Sequence, residues 1–259
     1  MDILIINLPR HAERRAFQTK QLEQLGLAFD WVPATDVRGM DPKLFAQLQN
    51  TWERPMRDVE VACYLSHLSA WRIVAERKRP ALILEDDAYL STDVPAILKA
   101  LEGQSFDLVT LEVRGRKKVV GKQSNPLTAA ATLVPLYQDR TGAAGYVLSP
   151  SGAQKLLAKA SDGKAAIADA FISSHYELDA YQVEPAAIIQ IDMCEHYGIP
   201  APIQTTSSIG AVARPPASEG ANAFKVRRIL SQLRMGGRAL SVMHKAQRRL
   251  IPVNPNSFA

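Results

Sequence analysis

Only two cysteines, Cys63 and Cys194, occur in the 259 residues, and they lie far apart. That scarcity excludes a disulfide framework, and the spacing is not that of a zinc site. It fits a reducing compartment. No stretch approaches the roughly 20 consecutive apolar residues that span a bilayer. The opening, Met1-Asp2-Ile3-Leu4-Ile5-Ile6-Asn7, has no basic segment and only four apolar residues after an acid. It reads as a first strand and not as a signal peptide. There is no Gly-x-Gly-x-x-Gly and no Walker sequence, which disfavours a classical dinucleotide or ATP site. A Gly-x-Ser-x-Gly elbow is also missing, and the neighbours Ser66 and His67 would point in different directions on a helix. A serine hydrolase is thereby rejected. No internal repeat is visible. These absences leave a soluble or surface-bound protein, expected in the cytoplasm.

What is present supports a full core: 47% of the residues are hydrophobic. The net charge of +5 is unevenly placed. Residues 221–259 carry eight basic side chains and no acid, so residues 1–220 are net negative. The basic character therefore belongs to the C-terminal segment. There, Phe224, Val226, Ile229, Leu230, Leu233, Leu240 and Val242 interleave with arginines and lysines, as in an amphipathic helix lying on an anionic membrane. Gly236-Gly237 is expected to break that helix in two. A solvated tail, a packed C-terminal helix or nucleic-acid binding would suit the same composition.

Along the chain, Ile3–Asn7 reads as a strand, His11–Leu25 as a helix stopped by Gly26, and Phe29–Val32 as a second strand. This β-α-β opening predicts a parallel sheet with a right-handed crossover. Further helices are expected at Asp41–Gln49, from Asp58 to about Arg77, from Asp93 to about Gly103, and from Ser149-Pro150 through Ala160. Strands are expected at Ala81–Leu84 and Leu108–Leu111. Leu133–Leu136 and Gly145–Leu148 read as a pair, and Val183–Ile191 as a strand region broken at Pro185. Gly115–Pro126 reads as a basic loop, and the proline-rich stretch Ile199–Gly220 as irregular. The expected division is an α/β domain over 1–220 and a basic tail over 221–259.

The stretch Ala81-Leu82-Ile83-Leu84-Glu85-Asp86-Asp87 carries the strongest chemical signal. A buried strand ends in three carboxylates, and ligands of open α/β sheets bind just beyond the carboxyl ends of strands. Adjacent acids repel unless a cation or donors offset them. A hard divalent metal shared with a substrate phosphate is one solution; a solvated acidic turn that caps a helix is the other. Asn7 and Arg10, followed by Arg14 and Arg15, stand at the end of the first strand, where arginine suits phosphate oxygens. Ala34-Thr35-Asp36 follows the second strand, where a carboxylate can bind a ribose or a base. Glu60, Tyr64, His67 and Trp71 share one helix face and either line a pocket or form a half-buried stripe. Asp169 sits in an apolar neighbourhood. Burial would raise its pKa and suit it to take a proton from a hydroxyl, while a helix N-cap is the alternative. His175 and His196 are spare ligand candidates.

Together these residues resemble glycosyltransferase family 25, whose bacterial members build lipooligosaccharide and lipopolysaccharide cores. The resemblance runs in order through Ile6-Asn7-Leu8 with Arg14, Pro33-Ala34 with Asp36, Glu60–His67 with Trp71, Leu82–Asp87, Gly142–Ser149, Gly152-Ala153 and Asp169. It implies a GT-A-like, Rossmann-type nucleotide-sugar-binding fold with a mostly parallel central sheet. It also implies an inverting, metal-dependent transfer of a sugar, most often galactose, from a UDP-sugar donor with Mn²⁺ (or Mg²⁺). Carried over, Glu85 and Asp87 would hold the metal. Asn7, Arg14, Ala34, Asp36, Ser66, His67 and Asp86 would surround the nucleotide-sugar, and Asp169, with Glu60 as competitor, would be the base. A lipid-linked oligosaccharide on the inner face of the bacterial inner membrane would be the acceptor, with an anionic membrane surface as partner through 221–259 and no nucleic acid. The acidic cluster alone would also suit a metal-dependent phosphohydrolase or nucleotidyltransferase. A purely structural cluster would leave a non-enzymatic membrane- or nucleic-acid-binding protein.

Overall fold

A computed structural model describes residues 1–140, 142–204 and 221–258. The chain opens with β1 (Asp2–Asn7), α1 (Ala12–Gln24), β2 (Asp30–Pro33), α2 (Pro42–Leu48) and the long α3 (Asp58–Arg77). Then come β3 (Ala81–Glu85), β4 (Ala88–Leu90), α4 (Val94–Leu101), β5 (Leu108–Thr110), β6 (Lys118–Gly121), β7 (Asn125–Pro126), β8 (Thr132–Gln138) and β9 (Gly145–Leu148). The remainder is α5 (Pro150–Ala160), α6 (Ala168–Ser173), β10 (Ala180–Glu184), β11 (Ile188–Gln190), α7 (Ala221–Val242) and β12 (Ala246–Arg249).

Ten strands form one sheet in the order β12-β6-β8-β10-β5-β9-β3-β1-β2, with β7 paired to β8. The expected β-α-β opening is there, with β1 parallel to β2 and to β3. β5 and β10 are also parallel. The sheet is nevertheless mixed, because β9 runs antiparallel between β3 and β5 and the strands beyond β10 alternate. The continuous apolar run of β1 follows from burial on both faces. Leu4 and Ile6 enter a core beneath α3, α5 and α6, while Ile3 and Ile5 enter a second core beneath α1 and α4.

Several local signals act as read. Asp41 caps α2 by accepting from Lys43 N, and Ser149 caps α5 by accepting from Gly152 N. Asp58 is not the cap of α3 but its first residue; Glu60 turns back to accept from Arg57 N. Other expectations give way to tertiary pairing. Leu133–Leu136 and Gly145–Leu148 are strands, yet they do not pair with each other: β9 fills the gap between β3 and β5, and β8 pairs with β6, β7 and β10. The basic stretch expected as a loop contains β6, whose Lys118 is buried against Asp139 at 2.6 Å. Most of the proline-rich stretch to Gly220 lies outside the described residues.

The C-terminal segment departs most. α7 runs unbroken through Gly236-Gly237, although two glycines cost about 2 kcal/mol in a helix interior. Its inner face, with Phe224 and Val242 buried, docks on the domain and offsets that cost. The segment is also not helical to its end. β12 pairs antiparallel with β6, and Ile251 and Phe258 enter a third core beside Tyr89. Residues 246–258 are thus built into the sheet domain, because their apolar side chains have a core to fill.

Candidate active site

β1 and β3 are neighbours in register, with Ile6 opposite Glu85, so Asn7 and Glu85-Asp86-Asp87 emerge side by side at the carboxyl ends of these two strands. Ala34 is held beside them by its N–H to Asn7 O at 3.0 Å. α3 passes beneath and presents Cys63, Ser66 and His67. Together these elements enclose an open cleft of about 150 Å³, also lined by Arg10, His11, Arg14 and Thr35.

The three acids have different surroundings. Asp86 is buried, accepting from Asn7 Nδ2 at 2.8 Å and from Arg14 at 2.7 Å. It lines the cleft while each of its oxygens is held by a neighbouring donor. Arg14 also lies 3.5 Å from Asp87, so its charge is shared between the two acids. Asp87 Oδ1 has no hydrogen-bond partner, although 22% of the side chain remains exposed. Burial, then the neighbouring Glu85 charge, push the Asp87 carboxyl up to about 7. Glu85 accepts from His67 Nε2 at 3.1 Å.

His67 belongs to a buried chain whose proton positions follow from its ends. Trp71 Nε1 can only donate, and it donates to the Tyr146 hydroxyl at 2.8 Å. Tyr146 therefore has its own O–H to give to His67 Nδ1, 2.9 Å away. His67 then carries its proton on Nε2 and donates it to Glu85. Trp71, Tyr146 and His67 thus fix the orientation of one carboxylate. Cys63, one helical turn before His67, completes a set of Cys63, His67 and Glu85 atoms within 4.8 Å of one another, able to hold a metal ion once the ion displaces the proton that His67 gives to Glu85.

The sequence pattern of the family described as "Glycosyltransferase family 25 (LPS biosynthesis protein)" matches residues 1–172. The chain belongs to glycosyltransferase family 25. It is 28% identical over 238 residues to a glycosyltransferase 25 family member of Drosophila pseudoobscura, covering 85% of this chain and 37% of that protein. It is 33% identical over 173 residues to one of Aedes aegypti, covering 60% and 27%. It is 26% identical over 213 residues to procollagen galactosyltransferase 1-B of Xenopus laevis, covering 71% and 35%. The chain thus spans roughly a quarter to two fifths of the length of these relatives.

The family match takes in the whole cleft and ends just beyond Asp169. That residue sits inside the first turn of α6, where Ile167 is the cap and Asp169 accepts only from Ala170 N. It lines a second, partly open cavity on the far side of Tyr146. Burial raises its carboxyl to about 6, with Glu85 adding to the shift, which puts it within electrostatic reach of the cleft. Glu60 is elsewhere. Its carboxylate is held by Arg54 through two bonds of 2.8 Å and by Arg57 N, and despite burial these donors lower its pKa. It anchors the start of α3, and both of its oxygens are already engaged by donors. Asp36 is drawn out of the cleft by Arg10 and caps a short turn at Arg38 N. Ser66 reaches the cleft, but its hydroxyl is committed to Ala62 O and Thr35 N.

Three residues of this neighbourhood were not singled out from the sequence. His11 lies 3.6 Å from Asp86. Cys63 shows a signal in hindsight, its four-residue spacing from His67. Glu112 follows β5 as Glu85 follows β3; it is fully buried, accepts from Ala144 N at 2.7 Å, and keeps Oε1 unpartnered. Burial and the Glu85 charge push it up to about 8. His196 stands apart, against Gly115.

Proposed function

We propose that the protein is an inverting glycosyltransferase that moves a hexose, by family precedent galactose, from a UDP-sugar to a hydroxyl of a glycan acceptor. The observation that carries this reading is the pairing of Glu85 and Asp87 in one cleft at the end of β3, with Asp87 Oδ1 left without a partner; Asp169 lines the neighbouring cavity within electrostatic reach of Glu85. Burial, with the Glu85 charge adding to it, raises the carboxyls of Asp87 and Asp169, as expected of acids whose neighbouring cations do not offset it. Oxygen donors of this kind fit Mn²⁺ or Mg²⁺. Glu85 and Asp87 would hold the ion, whose chemistry is to offset the charge growing on the leaving diphosphate.

The chain's own residues do the rest. Arg14 and the buried Asp86 fix the end of β3 on which the diphosphate rests. The Trp71–Tyr146–His67 chain orients Glu85. Asp169 accepts the proton as the acceptor oxygen bonds to the anomeric carbon and the bond to the diphosphate breaks. A single displacement needs no covalent intermediate and inverts the anomeric centre.

Partner readings are of the same standing. No described helix is long and apolar enough to cross a membrane. All the large, exposed apolar side chains among the described residues lie between Val226 and Leu250. Val226, Ile229, Leu230, Leu233 and Leu240, each more than half exposed, make one stripe along α7, flanked by arginines. This supports attachment to an anionic membrane surface, where a lipid-linked oligosaccharide would be met.

The test is titration calorimetry of UDP with Mn²⁺ and then with EDTA. Micromolar binding that needs the ion and is lost in Asp87→Ala is expected. Absence of UDP binding in both conditions rejects the donor assignment, and phosphate release without an acceptor would favour a phosphohydrolase.

A further inference from the structure

The second cavity is lined by charges of both signs. One is the Asp169 carboxyl; Tyr146, also in the lining, bonds through its hydroxyl to His67 of the cleft. The other is Arg238 of α7. Its guanidinium stands 5.6 Å from the ring centre of Tyr137 and 5.7 Å from that of Tyr176. Arg234 lies 5.9 Å from Tyr176, and Lys245 lies 5.1 Å from Tyr137.

Among the described residues these three cations rest on tyrosine faces and have no carboxylate partner. Arg238 spends its Nε on Tyr137 O at 3.4 Å, and its two terminal nitrogens make no hydrogen bond. Asp139 also lines the cavity, but its carboxylate is engaged by Lys118. His175 adds a buried Nε2 that lacks a partner. Three like charges near two aromatic rings repel one another, and an anion between them relieves that repulsion. The terminal nitrogens of arginine form a fork that matches phosphate or carboxylate, and a tyrosine face suits the C–H face of a pyranose.

We propose that this cavity is the acceptor subsite and that it takes a saccharide bearing an anionic substituent, phosphate or carboxylate. The inference rests on the glycosyltransferase reading and adds the class of acceptor. The reactive hydroxyl meets Asp169, the ring lies along Tyr176, and the anion meets Arg238. That orientation is enforced electrostatically. Glu85, Asp87 and Asp169 repel the charged end from the reacting centre, and Arg238 holds it away. The family match stops at residue 172, so Tyr176 and Arg238 lie outside the segment the family pattern describes.

Saturation-transfer NMR and calorimetry on the full chain, with glucose, glucose 6-phosphate, glucuronate and inorganic phosphate, test it. Both charged sugars should bind about tenfold or more tightly than glucose, and glucose 6-phosphate more tightly than phosphate alone. Arg238→Gln should remove the preference, Arg238→Lys should keep part of it, and Tyr176→Leu should weaken all three sugars. In the unaltered protein, raising ionic strength from about 0.05 to 0.5 M should cut glucose 6-phosphate affinity several-fold, since screening acts within about 10 Å. UDP titrated into the same proteins reads the donor site separately. If UDP binds but the sugars do not differ, or the preference survives Arg238→Gln, the anionic acceptor is overturned. If phosphate alone matches glucose 6-phosphate, the saccharide subsite is overturned. If UDP fails to bind, the glycosyltransferase reading itself fails.

Discussion

At the scale of single residues, a carboxylate's role follows from what already holds it. Both oxygens of Asp86 and of Glu60 are held by donors, whereas Asp87 keeps Oδ1 without a partner and Asp169 accepts from the Ala170 N–H alone among the described residues. Transfer should therefore rise with pH through about 6, as Asp169 ionises and becomes a base. In Asp169→Asn that limb should vanish and kcat fall by roughly 10²–10⁴, measured as a pH–rate profile with saturating donor. A profile unchanged by the substitution would remove Asp169 from the reaction. Tyr146→Phe should act differently. It deletes both the acceptor for Trp71 and the donor to His67, so stability should drop by about 1–3 kcal/mol. The donor KM should rise more than kcat falls, because Glu85 is loosened and the base is untouched; chemical denaturation and steady-state kinetics read the two effects.

At the scale of elements, α3 links core and site. Its Trp71 is fully buried, stacked on Phe171 at 5.6 Å, while His67, one turn earlier, faces the cleft. Trp71→Ala should cost about 3–5 kcal/mol in chemical denaturation. The element-scale expectation for α7 is attachment to anionic vesicles. Charge-reversing Lys225, Arg227 and Arg228 to Glu should abolish liposome flotation, since each basic residue near such a surface contributes about 1 kcal/mol. Flotation equal to that of the unaltered protein would leave the exposed stripe without a lipid partner. The β9 strand shows why element pairing escapes the sequence. Gly145–Leu148 is four apolar residues with no preference for a neighbour, and its place between β3 and β5 is set by the gap those strands leave. Gly145 fits there because an added Cβ would lie 2.6 Å from Ile188.

At the scale of the whole molecule, an excess of raised carboxyls makes stability depend on pH in a stated direction. Asp169, Asp87 and Glu112 rise to about 6, 7 and 8 from ordinary values near 4. Raised folded-state values stabilise the fold fully below about pH 4, and that contribution is lost as pH climbs through 6 to 8. The melting temperature of the metal-free protein should thus decline over this range, and Mn²⁺ should restore it at pH 8. A flat profile would mean that the cluster is solvated. The C-terminal residues belong to the same whole. Removing residues 246–258 strips β12 from the sheet and Ile251 and Phe258 from the third core. It should therefore lower the melting temperature by many degrees, not leave the domain intact as loss of a loose tail would.

The sequence by itself determined the α/β class, the β-α-β opening, most helix limits and the acid-bearing end of β3. Each of these is a local matter of periodicity, capping and short-range spacing. It also placed Asn7, Arg14, Ala34, His67 and the acid triplet in one neighbourhood through an ordered set of matches. Only the tertiary structure decided which carboxylates are free. Arg54 removes Glu60, Arg10 removes Asp36, and Asn7 with Arg14 holds Asp86. It also brought Glu112, 27 residues away, into the field of Glu85. Strand order, the closing of the sheet by β12 and the tyrosine–arginine lining of the second cavity belong to the same category. The physical reason is common to all of them: a side chain's charge state and availability are set by neighbours that only folding brings within a few ångströms.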